Sequence, residues 1–172
     1  RLSLRALLRG TLGIVALGWL VVIVRWDDAP FALSFDDAYY YFTIARNWAD
    51  GHASTFGLID QTNGYHPLWQ LVCIIPFAGG LEGSTAVRAL LVTQLVAWLA
   101  TWWLISSRIV EAVRGWPRLA TNAKARRWCD VMVVAVAVGL AANPFVFKMI
   151  VNGLESGLVV PIGALVIATG LR

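Results

Sequence analysis

This chain has little charge. Of its 172 residues, 14 are Lys or Arg and 10 are Asp or Glu, whereas a soluble domain carries about a quarter charged residues. Histidine and cysteine are scarcer still, at two each. Cys73 and Cys129 lie far apart, in or beside apolar runs, so they form neither a metal-binding spacing nor a disulfide framework and are read as small apolar side chains. No glycine-rich phosphate loop, internal repeat or low-complexity tract is present. These shortages exclude zinc modules, disulfide-stapled secreted scaffolds and nucleotide-binding loops.

What is abundant is apolar. The chain is 59% hydrophobic, and its uncharged runs are long: Gly10–Val24, Ala89–Ile105, Val131–Phe147 and Ser156–Leu171. A spanning helix needs about 17–25 mostly apolar residues. With their flanks included, all four runs qualify. The expectation is an all-α, polytopic membrane protein with spans over about 7–25, 87–106, 130–148 and 156–172. Basic Arg1, Arg5 and Arg9 before an apolar core resemble a signal peptide, but no small-residue cleavage site follows, so an uncleaved anchor is expected. The chain starts at Arg rather than Met and stops at Leu171-Arg172, which reads as a piece of a longer protein.

The few charges are distributed unevenly, and short basic loops face the cytoplasm. The N-terminus, with three Arg and no acid, is predicted to be cytoplasmic. The stretch Arg25–His66 holds six Asp and two Arg and is predicted to lie outside. Arg108, Arg114, Arg118, Lys124, Arg126 and Arg127, against Glu111 and Asp130, mark a cytoplasmic loop. The net charge of +4 therefore has a topological explanation, and a nucleic-acid partner is not expected.

These assignments leave one crossing between the two loops but two apolar runs. Pro67–Leu81 has 15 residues, about 22 Å as a helix, against a hydrocarbon core of about 30 Å. It is predicted to lie in the outer interface, within an outer loop over 26–86 that carries a second interfacial helix over about 35–50. The alternative is that 67–81 crosses, which reverses the side of everything after it.

Acidic groups held beside a membrane are the first candidates for chemistry. Ser34-Phe35-Asp36-Asp37 has the pattern of a capping box, followed by Tyr40, Ile44 and Trp48 at helical spacing. Capping employs Asp37 and leaves Asp36 free, a placement suited to a general base for a hydroxyl nucleophile. Asp27 and Asp28 sit where any chain leaves a membrane and read as a solvated flank. Asn63-Gly64 marks a turn before Tyr65, His66 and Pro67, the last placed to open a helix. His66 is either a donor to a phosphate or sugar oxygen or a cap. Arg88 and Lys148, at outer ends of spans, either meet a lipid-linked phosphate or snorkel to headgroups. Glu155, in NGLESGL, is an acid between two apolar runs with no capping task.

The order DDAYYYFTIARN, TNGYHPLW, a Trp-rich span, a basic loop, then NPF and NGLESGL resembles the GT-C superfamily of membrane glycosyltransferases. It is most similar to the bacterial branch near protein mannosyltransferases and mycobacterial arabinofuranosyltransferases. The resemblance runs over essentially the whole chain, as the N-terminal third or so of such an enzyme. It implies a multi-pass protein of a bacterial cell membrane, working on the outer face. The donor implied is a polyprenyl-phosphate sugar, and the acceptor a glycan, lipid or protein. It assigns Asp36 as the base, with Asp37 beside it, and sets Arg88 toward the lipid phosphate. Glu155 and His66 match its motif positions, and Tyr65 and Lys148 join them as candidate substrate-binding residues. No cofactor is required, because the leaving phosphate already carries charge; a divalent cation is an option. Later spans and any C-terminal acceptor domain are missing, so this segment alone is expected to be inactive. The reading from a different class is a non-catalytic membrane protein, a transporter or assembly subunit.

Overall fold

The computed structural model describes residues 3–170. Among them every regular element is a helix: α1 (Leu4–Arg25), α2 (Ala29–Leu33), α3 (Ala38–Ala49), α4 (Pro67–Ala78), α5 (Gly83–Arg114), α6 (Pro117–Thr121), α7 (Ala123–Ala142), α8 (Pro144–Ile150) and α9 (Ser156–Gly170). An isolated bridge between Thr55 and Gln61 closes the loop between α3 and α4.

Two helices are long and apolar enough to cross a bilayer, α1 and α5, or three if α7 and α8 are one bent span. The sequence predicts four. In α1, Ser3 accepts from the Ala6 amide at 3.2 Å and no proline interrupts the next 22 residues, which span roughly 33 Å. With 32 residues, α5 is longer than the expected 87–106, at roughly 48 Å. It runs on through Arg108, Glu111 and Arg114 because these are good helix formers, and it stops at Gly115 ahead of Pro117. Much of the predicted basic loop is thus helical. On its far side, Asn122 accepts from the Ala125 amide at 3.0 Å and opens α7 well before residue 130.

The expected continuous span over 130–148 is broken. Asn143 turns its side chain to the Phe145 and Val146 amides, and Pro144 at the start of α8 supplies no amide to continue α7. The axis bends by 65° between α7 and α8. Of the expected 156–172 span, α9 accounts for the part up to Gly170, and Leu171 and Arg172 lie outside the described residues.

Side chains at both ends fix how α1 meets α5. At one end Arg9 bonds the Trp103 carbonyl and the Ser106 and Ser107 hydroxyls, and lies 4.0 Å over the Trp103 ring. At the other, Arg88 bonds the Ile23, Trp26 and Asp27 carbonyls. The helices are therefore antiparallel, and segment 26–82 leaves and returns at the same end of the pair. α7 lies along α1, with the Trp19 indole donating to the Ala141 carbonyl at 3.0 Å. α9 packs along α5. Between them Phe147 of α8 is fully buried, stacked on Trp19 at 3.9 Å and edge-on to Trp98.

The two ends differ in charge. Arg5, Arg108 and Arg114 gather with Glu111 and Asp130 at the end away from segment 26–82. These pairs are exposed or partly so, and contribute little each. The opposite end carries the short helices α2 to α4 and the loop 151–155, where the candidate site is built.

Candidate functional site

The site begins with a helix start that differs from the predicted one. Asp37 already has helical dihedrals (φ −58°, ψ −26°), and its carboxylate caps nothing. Its amide donates instead to Asp36 Oδ1 at 3.1 Å. The capping box does not form because Ser34 is turned inward: it is buried and faces the 153 position. The structural tasks of the acids are thereby exchanged. Asp36 holds the turn, and Asp37 is left without a cap to make.

A second connection brings the 151–155 loop to this helix start. The Phe35 amide donates to the Asn152 carbonyl at 3.0 Å. Gly153 has φ +82°, and a Cβ there would stand 2.7 Å from Ala38 Cβ and 2.8 Å from Phe42 Cζ. Only glycine gives this left-handed backbone without strain and lets the loop press against α3. Gln94, fully buried in α5, holds the loop from below. Its Oε1 accepts from the Asn152 and Gly153 amides, each at 2.9 Å, and its Nε2 donates to the Leu154 carbonyl at 2.6 Å. From α4, the Trp69 indole donates to the Gly153 carbonyl at 2.8 Å.

Glu155 follows directly. Its Oε2 accepts from the Tyr41 hydroxyl at 2.9 Å, and the same hydroxyl accepts from the His66 amide at 3.0 Å. One phenol thus joins α3, the start of α4 and the 151–155 loop. Burial pushes the Tyr41 phenol up from its ordinary value; the His66 amide opposes this, and the bonded Glu155 carboxylate adds to it. Tyr41 stays a neutral donor at physiological pH. Glu155 is half-buried, and among the described residues no cation pairs with it.

These groups enclose a cleft of about 280 Å³ lined by Asp37, Tyr40, Tyr41, Tyr65 and Glu155, with Ile44, Gly64 and Leu154 completing its wall. The loop between α3 and α4 forms one side. Asn47 donates to the Thr55 and Phe56 carbonyls, Phe56 stacks on Tyr40 with centroids 4.2 Å apart, and Tyr65 meets the Ser54 hydroxyl at 2.6 Å. Two carboxylates and three phenols on an apolar base can accept and donate to several hydroxyls at once.

The structure brings together three of the residues singled out in the sequence, Asp37, Tyr65 and Glu155. Four others lie elsewhere. Asp36 is exposed and does not line the cleft. The His66 side chain is exposed and makes no cap. Arg88 spends its guanidinium on the Ile23, Trp26 and Asp27 carbonyls, at and just beyond the end of α1, an arrangement that completes a helix C-terminus. Lys148 sits 5.3 Å over the Phe35 ring, beside the acidic pair. Asp27 and Asp28 are exposed, in keeping with a solvated flank. Both cysteines are free. Among the described residues no three His, Cys, Asp or Glu side chains cluster as metal ligands.

Sequence reasoning missed Tyr41 and Gln94. A lone amide inside an uncharged span was the available signal for Gln94, since polar groups there need partners; Tyr41 was hidden among belt-forming aromatics. Comparison of the chain with family models, curated proteins and solved structures returns no match.

Proposed function

We propose that this chain is part of a membrane glycosyltransferase of GT-C type. It moves a sugar from a polyprenyl-phosphate donor to an acceptor hydroxyl at the outer face of a bacterial cell membrane. The observation that carries the reading is the meeting of Asp37, Tyr65 and Glu155, distant in sequence, in one polar cleft at the end of the bundle. In this reading the helices make four crossings. α1 runs outward, α5 inward, α7 with α8 outward and α9 inward, while α3 and α4 lie along the outer interface.

The reaction is displacement at the anomeric carbon. A carboxylate takes the acceptor proton as the oxygen attacks, and polyprenyl phosphate departs with the bonding electrons. The acidic pair Asp36–Asp37 supplies that carboxylate. The cleft favours Asp37, which lines it whereas Asp36 does not. Asp36 is then the positioning residue, because its Oδ1 holds the Asp37 amide. Glu155 and Tyr41 form a fixed donor–acceptor pair able to orient sugar hydroxyls. Arg88 and Lys148 remain on the side of the acidic pair, but Arg88 is occupied by carbonyls and is assigned no phosphate contact.

The test is sugar transfer by the full protein in membranes, assayed with a panel of polyprenyl-phosphate sugars and with the acidic pair varied one residue at a time. Transfer that is unaffected by loss of either acid would favour a non-catalytic membrane protein.

A further inference from the structure

A second cleft opens on the other face of α3. Thr43 and Arg46 line it from that helix, Phe31 from α2, Phe77 from the end of α4, and Ser84 and Val87 from the first turns of α5. Its volume is about 240 Å³. None of these residues lines the Asp37–Glu155 cleft, so the proposed transfer chemistry does not use it.

Its composition is divided. Phe31, Phe77 and Val87 make an apolar trough, and Phe31 stays 73% exposed. Thr43 and Ser84 add hydroxyls. Arg46 adds a full positive charge, and among the described residues no carboxylate stands within ion-pair distance of it. Arg88 by contrast has its donors engaged on the Ile23, Trp26 and Asp27 carbonyls at and just beyond the end of α1. A guanidinium presents five donors in a fork that matches phosphate oxygens. An exposed, unpaired Arg46 above an aromatic trough therefore has the complement of an anionic head on an apolar tail.

Its level in the bundle supports the same occupant. The trough lies where α1 ends at Arg25 and α5 begins at Gly83, the ends that Arg88 joins. In a protein whose long helices cross a bilayer, that level is the headgroup region, where lipid phosphates are concentrated. The cleft is too small for a whole lipid and suits a phosphate with the first part of one chain.

We propose that this cleft holds an anionic phospholipid drawn from the surrounding bilayer. Its phosphate is bound by Arg46 with Thr43 and Ser84, and one chain enters the trough between Phe31 and Phe77. The inference rests on the bilayer placement of the bundle but not on sugar transfer, so either can fail without the other.

The experiment uses the full protein in detergent, titrated with short-chain phosphatidylglycerol and followed by native mass spectrometry. A first lipid adduct is expected with the wild-type protein, falling at least fivefold in Arg46→Gln and by a smaller factor in Arg46→Lys, which keeps the charge but loses the planar fork. Ser84→Trp, which fills the trough and leaves Arg46 in place, is expected to lower it as well. Arg25→Gln, which removes an exposed charge outside the cleft, is expected to leave it unchanged, and inorganic phosphate should not displace the lipid. Wild-type binding by Arg46→Gln would overturn the proposal. So would full binding by Ser84→Trp, which would mean surface charge alone, or displacement by inorganic phosphate, which would mean a free-phosphate site.

Discussion

The Tyr41 hydroxyl donates to Glu155 Oε2 at 2.9 Å, joining residues 114 positions apart in the chain. Around this bond helix α3 and the loop before α9 become one surface. Tyr41 also accepts from the His66 amide, and its phenol must remain protonated to keep the donation to Glu155. Removing it leaves a half-buried carboxylate without its donor.

That bond has a pH signature. The Tyr41 phenol is raised above 10.0 in the folded protein, chiefly by burial. A raised pKa adds stability that is fully present below the unfolded value and is lost as pH climbs through the folded one. Melting temperature in detergent should therefore decline above pH 10. Tyr41→Phe should be less stable near neutrality but show a shallower alkaline decline. Burial raises Tyr39 and the Cys73 thiol too, and both contribute to the residual slope. An unchanged alkaline slope in Tyr41→Phe would remove Tyr41 from this account.

Gln94→Leu tests how the Glu155 loop is held. The substitution keeps the volume but orphans the Asn152 and Gly153 amides, at a cost of about 1–3 kcal/mol each. A fall in melting temperature of several degrees is expected, with weakened transfer even where the protein inserts normally. Gly157→Ala should act similarly, because a Cβ there would lie 2.5 Å from Gln94 Cγ. A Gln94→Leu protein with wild-type melting would contradict the arrangement.

Arg88→Met separates a structural arginine from a phosphate-binding one. Loss of the carbonyl contacts at the end of α1 should destabilise on the order of 1–2 kcal/mol. The apparent KM for the lipid-linked donor should stay within about twofold, which is below 0.5 kcal/mol. A stable variant with a strongly raised donor KM would restore the phosphate role inferred from sequence.

Topology is testable by reporters. A fusion after Gly57 should report the outside and one after Asn122 the cytoplasm, because segment 26–82 leaves and returns at one end of the α1–α5 pair. An external signal after Asn122 would mean that α4 crosses.

The sequence made the long elements legible and left their connections hidden. α1 and α5 follow from uncharged run length, and Pro67 marks the start of α4. The break at Asn143-Pro144 lies inside an uncharged run whose length alone reads as one span, although an Asn-Pro dipeptide favours a turn. α5 runs beyond the expected 87–106 because Arg and Glu favour helix until Gly115 intervenes, so a charged stretch does not by itself mark a loop. In the site, Asp37, Tyr65 and Glu155 were recognisable as polar residues in suggestive places. Their meeting was not, since it depends on Gln94, Gly153 and the Phe35–Asn152 backbone bond. The exchange between Asp36 and Asp37 was hidden for a similar reason: a capping pattern specifies neighbours, and the inward turn of Ser34 depends on a loop more than a hundred residues away. Arg88 was unreadable because its partners are backbone carbonyls.

The most direct measurement compares Asp37→Asn and Asp36→Asn in the full protein, assaying transfer from a polyprenyl-phosphate sugar alongside membrane insertion. Asp37→Asn should insert normally and lose transfer by about 10²–10⁴-fold, the usual contribution of a general base. Asp36→Asn should lose about tenfold or less, because the asparagine Oδ1 still accepts from the Asp37 amide. Near-normal transfer by Asp37→Asn would contradict the assignment of the cleft as the catalytic site.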